Sequence, residues 1–153
     1  MTSACEPEQV ITFQFGLHGL ARDQERLTVS DYSVLLRNIT LTLKANAPGA
    51  KLLFITTTPV PTNATDRLSS LVNPPRFDTD VQSFNAAATK VMAAENVPVL
   101  DLYTFVHSHC TKQGQTKNYQ SCDWQLPNNV HFEPAGWSAL AAKVASGVRR
   151  LLH

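Results

Sequence analysis

The sequence has 153 residues, 43% of them hydrophobic, and a formal net charge of +1 at pH 7. This length is enough for one buried core, and we assign residues 1–153 to a single domain. The near-neutral charge, without runs of like charge, argues against binding to nucleic acid or an anionic membrane surface. The sequence contains no stretch of about 18 apolar residues that could span a membrane, and its first residues, MTSACEPEQV, do not form a signal peptide.

The first predicted element is a strand, VITFQF (residues 10–15), because β-branched and aromatic residues dominate it. Gly16 ends this strand in a sharp turn. A helix is predicted to begin at Asp31 and to end at Pro48-Gly49. Its apolar residues return at the spacings of one buried helical face, namely Tyr32, Leu35, Leu36, Ile39 and Leu43.

Strands and helices are predicted to alternate along the rest of the chain. The expected elements are a strand over 51–58, a helix over 80–95 capped by Asp78 or Thr79, a strand over 96–101, a brief helix over 103–110 capped by Asp101, and a last helix from Pro134. The last helix carries Trp137, Leu140, Val144, Val148 and Leu151 on one side. This alternation predicts an α/β fold with a parallel sheet and helices on both faces.

The cysteines favour an oxidising compartment. Cys110 and Cys122 bracket a polar loop that a disulfide could close, and Cys5 is left over. Two glycosylation sequons, at Asn38 and Asn63, agree with a secreted parent protein. A metal site built on HSHC (residues 107–110) and Cys122 is the alternative, but paired spacings such as C-x-x-C are missing. We therefore predict the disulfide and no metal.

Polar residues follow each predicted strand, where parallel sheets place their sites. Gly16-Leu17-His18-Gly19 follows the first strand, Thr58-Pro59 the second and Asp101 the third, while His131 precedes the last helix. Two of these blocks resemble the SGNH (GDSL-type) hydrolases: VITFQFGLHG is similar to a strand ending in Gly-x-Asn-Asp, and NNVHFEPAGWSALA to the late Asp-x-x-His block. The likeness covers roughly residues 9–150 and also includes TTTPVP and VPVLDLY.

The resemblance implies a three-layer α/β/α, flavodoxin-like sheet and a serine esterase or acyl hydrolase without a cofactor. His131 falls on the general base of the family, Gly16 and His18 on its oxyanion donors, and Asn128 on its catalytic aspartate. The implied substrate is a small-molecule ester or an acylated carbohydrate. Asn128 departs from the family pattern because an amide cannot supply the charge that stabilises an imidazolium.

A second departure is the nucleophile, since the sequence contains no Gly-Asp-Ser block before VITFQF. The resemblance thus implies an incomplete sheet that lacks its first two strands, with VITFQF at an exposed edge where chains could self-associate. We expect the chain alone to be inactive. Ser3 is the first internal serine to consider if it proves active.

A non-catalytic module is the second hypothesis. Thr58, Asn85 and His131 would then donate and accept hydrogen bonds with a ligand or carbohydrate in a pocket that has lost its chemistry. An upstream reading frame that encodes a strand followed by Gly-Asp-Ser would favour the enzyme.

Overall fold

A computed structural model describes residues 9–21, 27–61, 72–112 and 122–153. The strands are β1 (Val10–Phe13), β2 (Lys51–Ile55) and β3 (Val99–Leu100). The α-helices are α1 (Val29–Asn46), α2 (Asp78–Ala94), α3 (Leu102–Lys112) and α4 (Pro134–Leu152), and a short 3-10 turn covers His18–Leu20. Of the helices in these ranges, none is long and apolar enough to cross a membrane.

The three strands form one parallel sheet in the order β1-β2-β3. Val10 lies opposite Lys51, and Phe54 of β2 lies opposite Phe13 on one side and Val99 on the other. The predicted parallel α/β sheet is therefore confirmed. Each strand is shorter than predicted, because the ladder between β1 and β2 ends at Phe13 and that between β2 and β3 joins two residue pairs only.

The two faces of the sheet bury separate hydrophobic clusters, because successive strand residues point to opposite sides. Phe13, Leu52 and Phe54 pack against α1 and α2 in the first cluster. Leu53 and Ile55 pack against α3 and α4 in the second cluster. Helices thus cover both faces, which confirms the three-layer α/β/α architecture.

Helix α1 begins two residues earlier than predicted, since Thr28 caps it by accepting a hydrogen bond from the Asp31 amide at 3.1 Å. Its buried residues are Tyr32, Leu36 and Thr40. Leu35, predicted to be buried, is 47% exposed. The spacing pattern was ambiguous because Leu35 and Leu36 both continue an apolar row from Tyr32, and only packing against the sheet selects the row of Leu36.

The predicted cap of α2 is wrong. Phe77 occupies the N-cap position without a side-chain cap, and Asp78 is the first helical residue. The Asp78 carboxylate instead accepts a hydrogen bond from the Val60 amide at 3.0 Å, so it fastens the loop after β2. Asp101, by contrast, accepts from the Thr104 amide at 2.9 Å at the start of α3, as predicted.

Helix α4 buries Leu140, and Val144, Val148 and Leu151 pack against the second cluster, as predicted. Trp137 is the exception, being 57% exposed. Its ring makes an edge contact with Phe132, with centroids 6.2 Å apart. It lies near the start of the helix, at the margin of the second cluster.

Candidate active site

Side chains from several elements hold the loop that follows β2 at the carboxyl edge of the sheet. Buried Asn85 accepts a hydrogen bond from the Thr57 amide at 2.9 Å and donates to the Thr57 carbonyl oxygen at 2.8 Å. Gln125 donates to the Pro59 carbonyl oxygen at 3.1 Å. The segment before His131 is therefore fixed against the end of the central strand.

Gly16 closes the loop after β1 in a conformation and a space that favour glycine. Its φ is +153°, and a Cβ atom there would lie 2.7 Å from Thr57 Oγ1. The Thr57 hydroxyl is buried and has no hydrogen-bond partner among the described residues. The backbone of Gly16 thus approaches a buried polar atom at the place where the family resemblance puts an oxyanion donor.

Tyr32 fixes the residue before Gly16. Its hydroxyl donates a hydrogen bond to the Phe15 carbonyl oxygen at 2.7 Å. Burial raises the pKa of the Tyr32 phenol, because desolvation disfavours the phenolate. The hydroxyl therefore stays protonated over the physiological pH range and holds the loop by donation.

A cavity of about 370 Å³ lies between the loop after β1 and helix α1. Gly16 and His18, the two predicted oxyanion donors, both line it. Most of its remaining wall is apolar and includes Phe15, which is 44% exposed, and Leu35. His131 is not among the residues that line this cavity.

His131 lies on an exposed turn just before α4. A bridge between Gln125 and Phe132, with the Leu126 amide donating to the His131 carbonyl oxygen at 3.0 Å, closes this turn. The side-chain oxygen of Asn129 lies 3.1 Å from the His131 amide nitrogen and 2.6 Å from its ring Nδ1. The ring is therefore oriented by a neighbour in the same turn.

The residues just before His18 and His131 pack against the same hydrophobic cluster, and a side chain anchors the loop that carries His18. Val130 and Leu17, the residues just before the two histidines, both pack against the first hydrophobic cluster. Arg76 donates from Nε to the Leu17 carbonyl oxygen at 2.8 Å, which fastens the loop after β1. The His18 turn follows the carboxyl end of β1, and the His131 turn is joined through Gln125 to the loop that follows β2.

Asn129 was not identified from the sequence, which pointed to Asn128 at the position of the family aspartate. Asn128 has a φ of +53°, a left-handed conformation that asparagine tolerates better than most residues. The catalytic assignment of Asn128 stays a prediction. An asparagine two residues before a histidine can accept its backbone amide in an Asx turn, and that pattern could have indicated Asn129.

Two further residues predicted to bind a ligand, Thr58 and Asn85, lie near the end of β2. Thr58 is partly buried just beyond the strand. Asn85 uses both ends of its amide on the Thr57 main chain, which gives it a structural role at this edge. Ligand binding by Thr58 and Asn85 stays a prediction.

The predicted disulfide joins Cys110 of α3 to Cys122. His109, Cys122 and Asp123 bring potential ligand atoms within 4.8 Å of one another. The Cys122 sulfur is part of the disulfide, however, and a thiolate is the form that binds metal. His109 instead pairs with Asp123 at 2.8 Å and stacks on the Trp124 ring, with centroids 3.5 Å apart.

Comparison with solved structures identifies the fold. The chain aligns with a lipase/acylhydrolase from Enterococcus faecalis at a TM-score of 0.67 and 22% identity, over 93% of this chain and 61% of that one. An acetyl xylan esterase, AlAXEase, aligns at a TM-score of 0.74 and 15% identity, over 92% of this chain and 67% of the esterase. A GDSL-like lipase from Bacteroides thetaiotaomicron VPI-5482 aligns at a TM-score of 0.65 and 15% identity, over 93% of this chain and 62% of the lipase.

No family profile and no curated protein sequence matches the chain. The structural alignments nevertheless show that it has the α/β/α fold of the GDSL (SGNH) lipases and esterases. The chain spans about three fifths of the length of the Enterococcus lipase/acylhydrolase. This fold agrees with the resemblance seen in the sequence.

Proposed function

We propose that this chain is part of an SGNH-type serine ester hydrolase and supplies its general base and oxyanion donors. The observation that carries the proposal is His131, held by Asn129 at the entry to the last helix of a GDSL-lipase fold. The fold alone would not assign chemistry, since one fold hosts many functions. The chemistry is suggested by an imidazole that its own turn orients, at the position where the sequence resemblance puts the general base.

In the proposed reaction, a serine hydroxyl attacks the ester carbonyl while His131 Nε2 takes its proton. The Gly16 amide and a ring nitrogen of His18 donate hydrogen bonds to the oxyanion that forms. The intermediate collapses, and the alcohol leaves with the proton from His131. Water activated by the same imidazole then hydrolyses the acyl-serine.

The serine would come from a segment that pairs with the open edge of β1. The 153 residues contain no Gly-Asp-Ser tripeptide, and β1 lies at one end of the strand order in the described sheet. The apolar cavity beside Gly16 borders this edge, which suits a strand and helix with aliphatic side chains. The disulfide supports a secreted parent protein.

The substrate we propose is a small ester or an acylated carbohydrate. The site contains no strongly charged cluster among its described residues, and the cavity beside the oxyanion donors is mainly apolar. An acyl group fits such a wall better than an anionic group does. One solved structure with this fold is an acetyl xylan esterase.

Complementation tests the proposal. The chain alone should hydrolyse p-nitrophenyl acetate no faster than buffer, whereas fusion of the GDSL segment of the Bacteroides thetaiotaomicron GDSL-like lipase to its amino terminus should create turnover. The matched controls are Ser→Ala in the added segment and His131→Gln in the chain, and each should abolish turnover.

Two outcomes would contradict the proposal. A folded fusion without turnover would favour the non-catalytic binding module, in which Thr58, Asn85 and His131 contact a ligand. Turnover by the chain alone that His131→Ala removes would place the nucleophile within these 153 residues, and Ser3, which lies outside the described residues, would be substituted first.

A further inference from the structure

The turn before α4 determines which ring nitrogen of His131 carries the proton. The Asn129 side chain faces both the backbone amide and the ring Nδ1 of His131, at 3.1 and 2.6 Å. A backbone amide is always a donor, so the atom that faces it must be the amide oxygen of Asn129 and not its NH₂ group. The orientation of the Asn129 amide is therefore fixed by the main chain.

An amide oxygen accepts hydrogen bonds and cannot donate them. The Nδ1 atom, 2.6 Å from this oxygen, must therefore be the protonated nitrogen of the ring. In a neutral imidazole the other nitrogen then carries the lone pair. His131 consequently presents an unprotonated Nε2, which is the form that a general base needs.

We propose that Asn129 is the positioning residue of this site and holds His131 as the Nδ1–H tautomer through a neutral amide. This inference deepens the proposed function and rests on it for its catalytic meaning. A Cys-His-Asn arrangement, in which an amide orients the histidine, shows that a carboxylate is not required for such a role. Asn129 lies two residues before His131, whereas the resemblance pointed three residues back, to Asn128.

The ring nitrogens themselves provide the test, through their ¹⁵N chemical shifts in the intact chain at alkaline pH, where the imidazole is neutral. His131 is assigned among the five histidines by the loss of its signals in His131→Gln. We expect a protonated Nδ1 and an unprotonated Nε2. Free histidine in water prefers the opposite tautomer, so the expected result is not the default.

Three variants separate positioning from a general effect on the turn. Asn129→Ala should shift the tautomer ratio toward Nε2–H by roughly 2- to 10-fold, the equilibrium equivalent of one net hydrogen bond. Asn129→Asp keeps an acceptor and should retain Nδ1–H. Asn128→Gly preserves the positive φ, removes the neighbouring amide and should leave the ratio unchanged.

A protonated Nε2 in the unmodified chain would overturn the inference without any variant, so it remains testable even if Asn129→Ala fails to fold. A ratio that changes in Asn128→Gly and not in Asn129→Ala would also overturn it and would return the role to Asn128. The tautomer is independent of turnover: an inactive fusion with Nδ1–H would reject the proposed hydrolase only, and an active fusion with Nε2–H would reject this inference only.

Discussion

The two halves of the proposed site differ in how firmly the described residues hold them. Three contacts hold the segment around His131. They are the disulfide between Cys110 of α3 and Cys122, the hydrogen bond from Gln125 to the Pro59 carbonyl oxygen, and the close approach of Gly136 to Trp124. The loop that carries Gly16 and His18 is anchored at its main chain, but Phe15, directly before it, is 44% exposed and lines an open cavity next to β1, the end strand of the described sheet.

This difference indicates that the turn of the proposed base, His131, is organised by contacts within the chain itself. The loop of the proposed oxyanion donors has its main chain anchored, because Tyr32 donates to the Phe15 carbonyl oxygen and Arg76 to that of Leu17, but Phe15 lacks apolar cover among the described residues. Disturbing the first half should cost the chain stability. Disturbing the second half should chiefly change its association.

The largest effect is expected from Gly136→Ala. A Cβ atom at this position in the first turn of α4 would meet the Trp124 carbonyl oxygen well inside van der Waals contact. Because the carbonyl oxygen belongs to the backbone, the clash can be relieved only by a shift of the main chain at Trp124 or in α4. We therefore expect a loss of about 3 kcal/mol in the free energy of unfolding. Urea denaturation followed by circular dichroism measures it.

Gly49→Ala is the matched control for Gly136→Ala. A Cβ atom at Gly49 would meet nothing within 4 Å. We expect this variant to be as stable as the parent chain or slightly more stable, since alanine restricts the unfolded chain. Equal stability of the two variants would mean that Trp124 and α4 are not in close contact.

The next largest effect is expected from removal of the disulfide. Cys110 and Cys122 are 12 residues apart, and closing a loop of this size stabilises a folded chain by about 3 kcal/mol or less in the chain-entropy model. The variant Cys110→Ala/Cys122→Ala should lower the unfolding midpoint accordingly. Adding reductant should lower the midpoint of the parent chain and leave that of the variant unchanged; a shift in both would contradict the assignment.

Self-association tests whether the surface beside β1 and the loop that carries Gly16 and His18 is uncovered. An apolar edge strand would make Phe13 the expected position for a charged substitution, but Phe13 is 8% exposed and belongs to the core. Phe15 and Leu35, which are 44% and 47% exposed, are the better positions. We expect the parent chain to associate at micromolar concentrations in sedimentation velocity and the variant Phe15→Lys/Leu35→Lys to remain monomeric.

Trp137→Lys serves as the control for association, because Trp137 is similarly exposed but lies on α4, on the opposite face of the sheet. It should leave association unchanged. A parent chain that is a stable monomer would contradict the idea that the β1 edge is uncovered.

The smallest effect concerns Glu95, at the end of α2 and far from the site. Its hydrogen bond to Arg37, at 2.8 Å, lowers the pKa of the Glu95 carboxyl below its ordinary value of about 4.5, and the charges of Arg37 and Lys44 act in the same direction. A lowered pKa stabilises the folded chain at neutral pH, and this stabilisation is lost as the pH falls through the folded value.

Glu95→Gln should therefore be less stable than the parent chain near neutral pH. The difference should shrink as the pH falls below the ordinary carboxyl pKa and through the lowered pKa of the folded chain, where the Glu95 carboxyl becomes protonated. Unfolding midpoints measured across this range test the sign. A constant difference at all pH values would show that the ion pair does not contribute.

The elements and their order followed from local patterns in the sequence. The β-branched run of β1, the two-sided apolar run of β2 and the helical spacings between them predicted a parallel α/β sheet, since these periodicities depend on neighbours along the chain. The block around His131 indicated the fold shared with GDSL lipases. The spacing of Cys110 and Cys122 around a polar loop predicted the disulfide.

Tertiary packing decided what local patterns leave open. Leu35 and Leu36 fit the same helical spacing, and only the sheet determines which of them is buried. Asp78 was predicted as a cap but binds the Val60 amide, a contact between residues 18 positions apart. Asn128 and Asn129 are chemically identical in the sequence. The left-handed turn at Asn128 directs the Asn129 oxygen to the His131 ring, because the backbone conformation, and not the residue type, sets where each amide points.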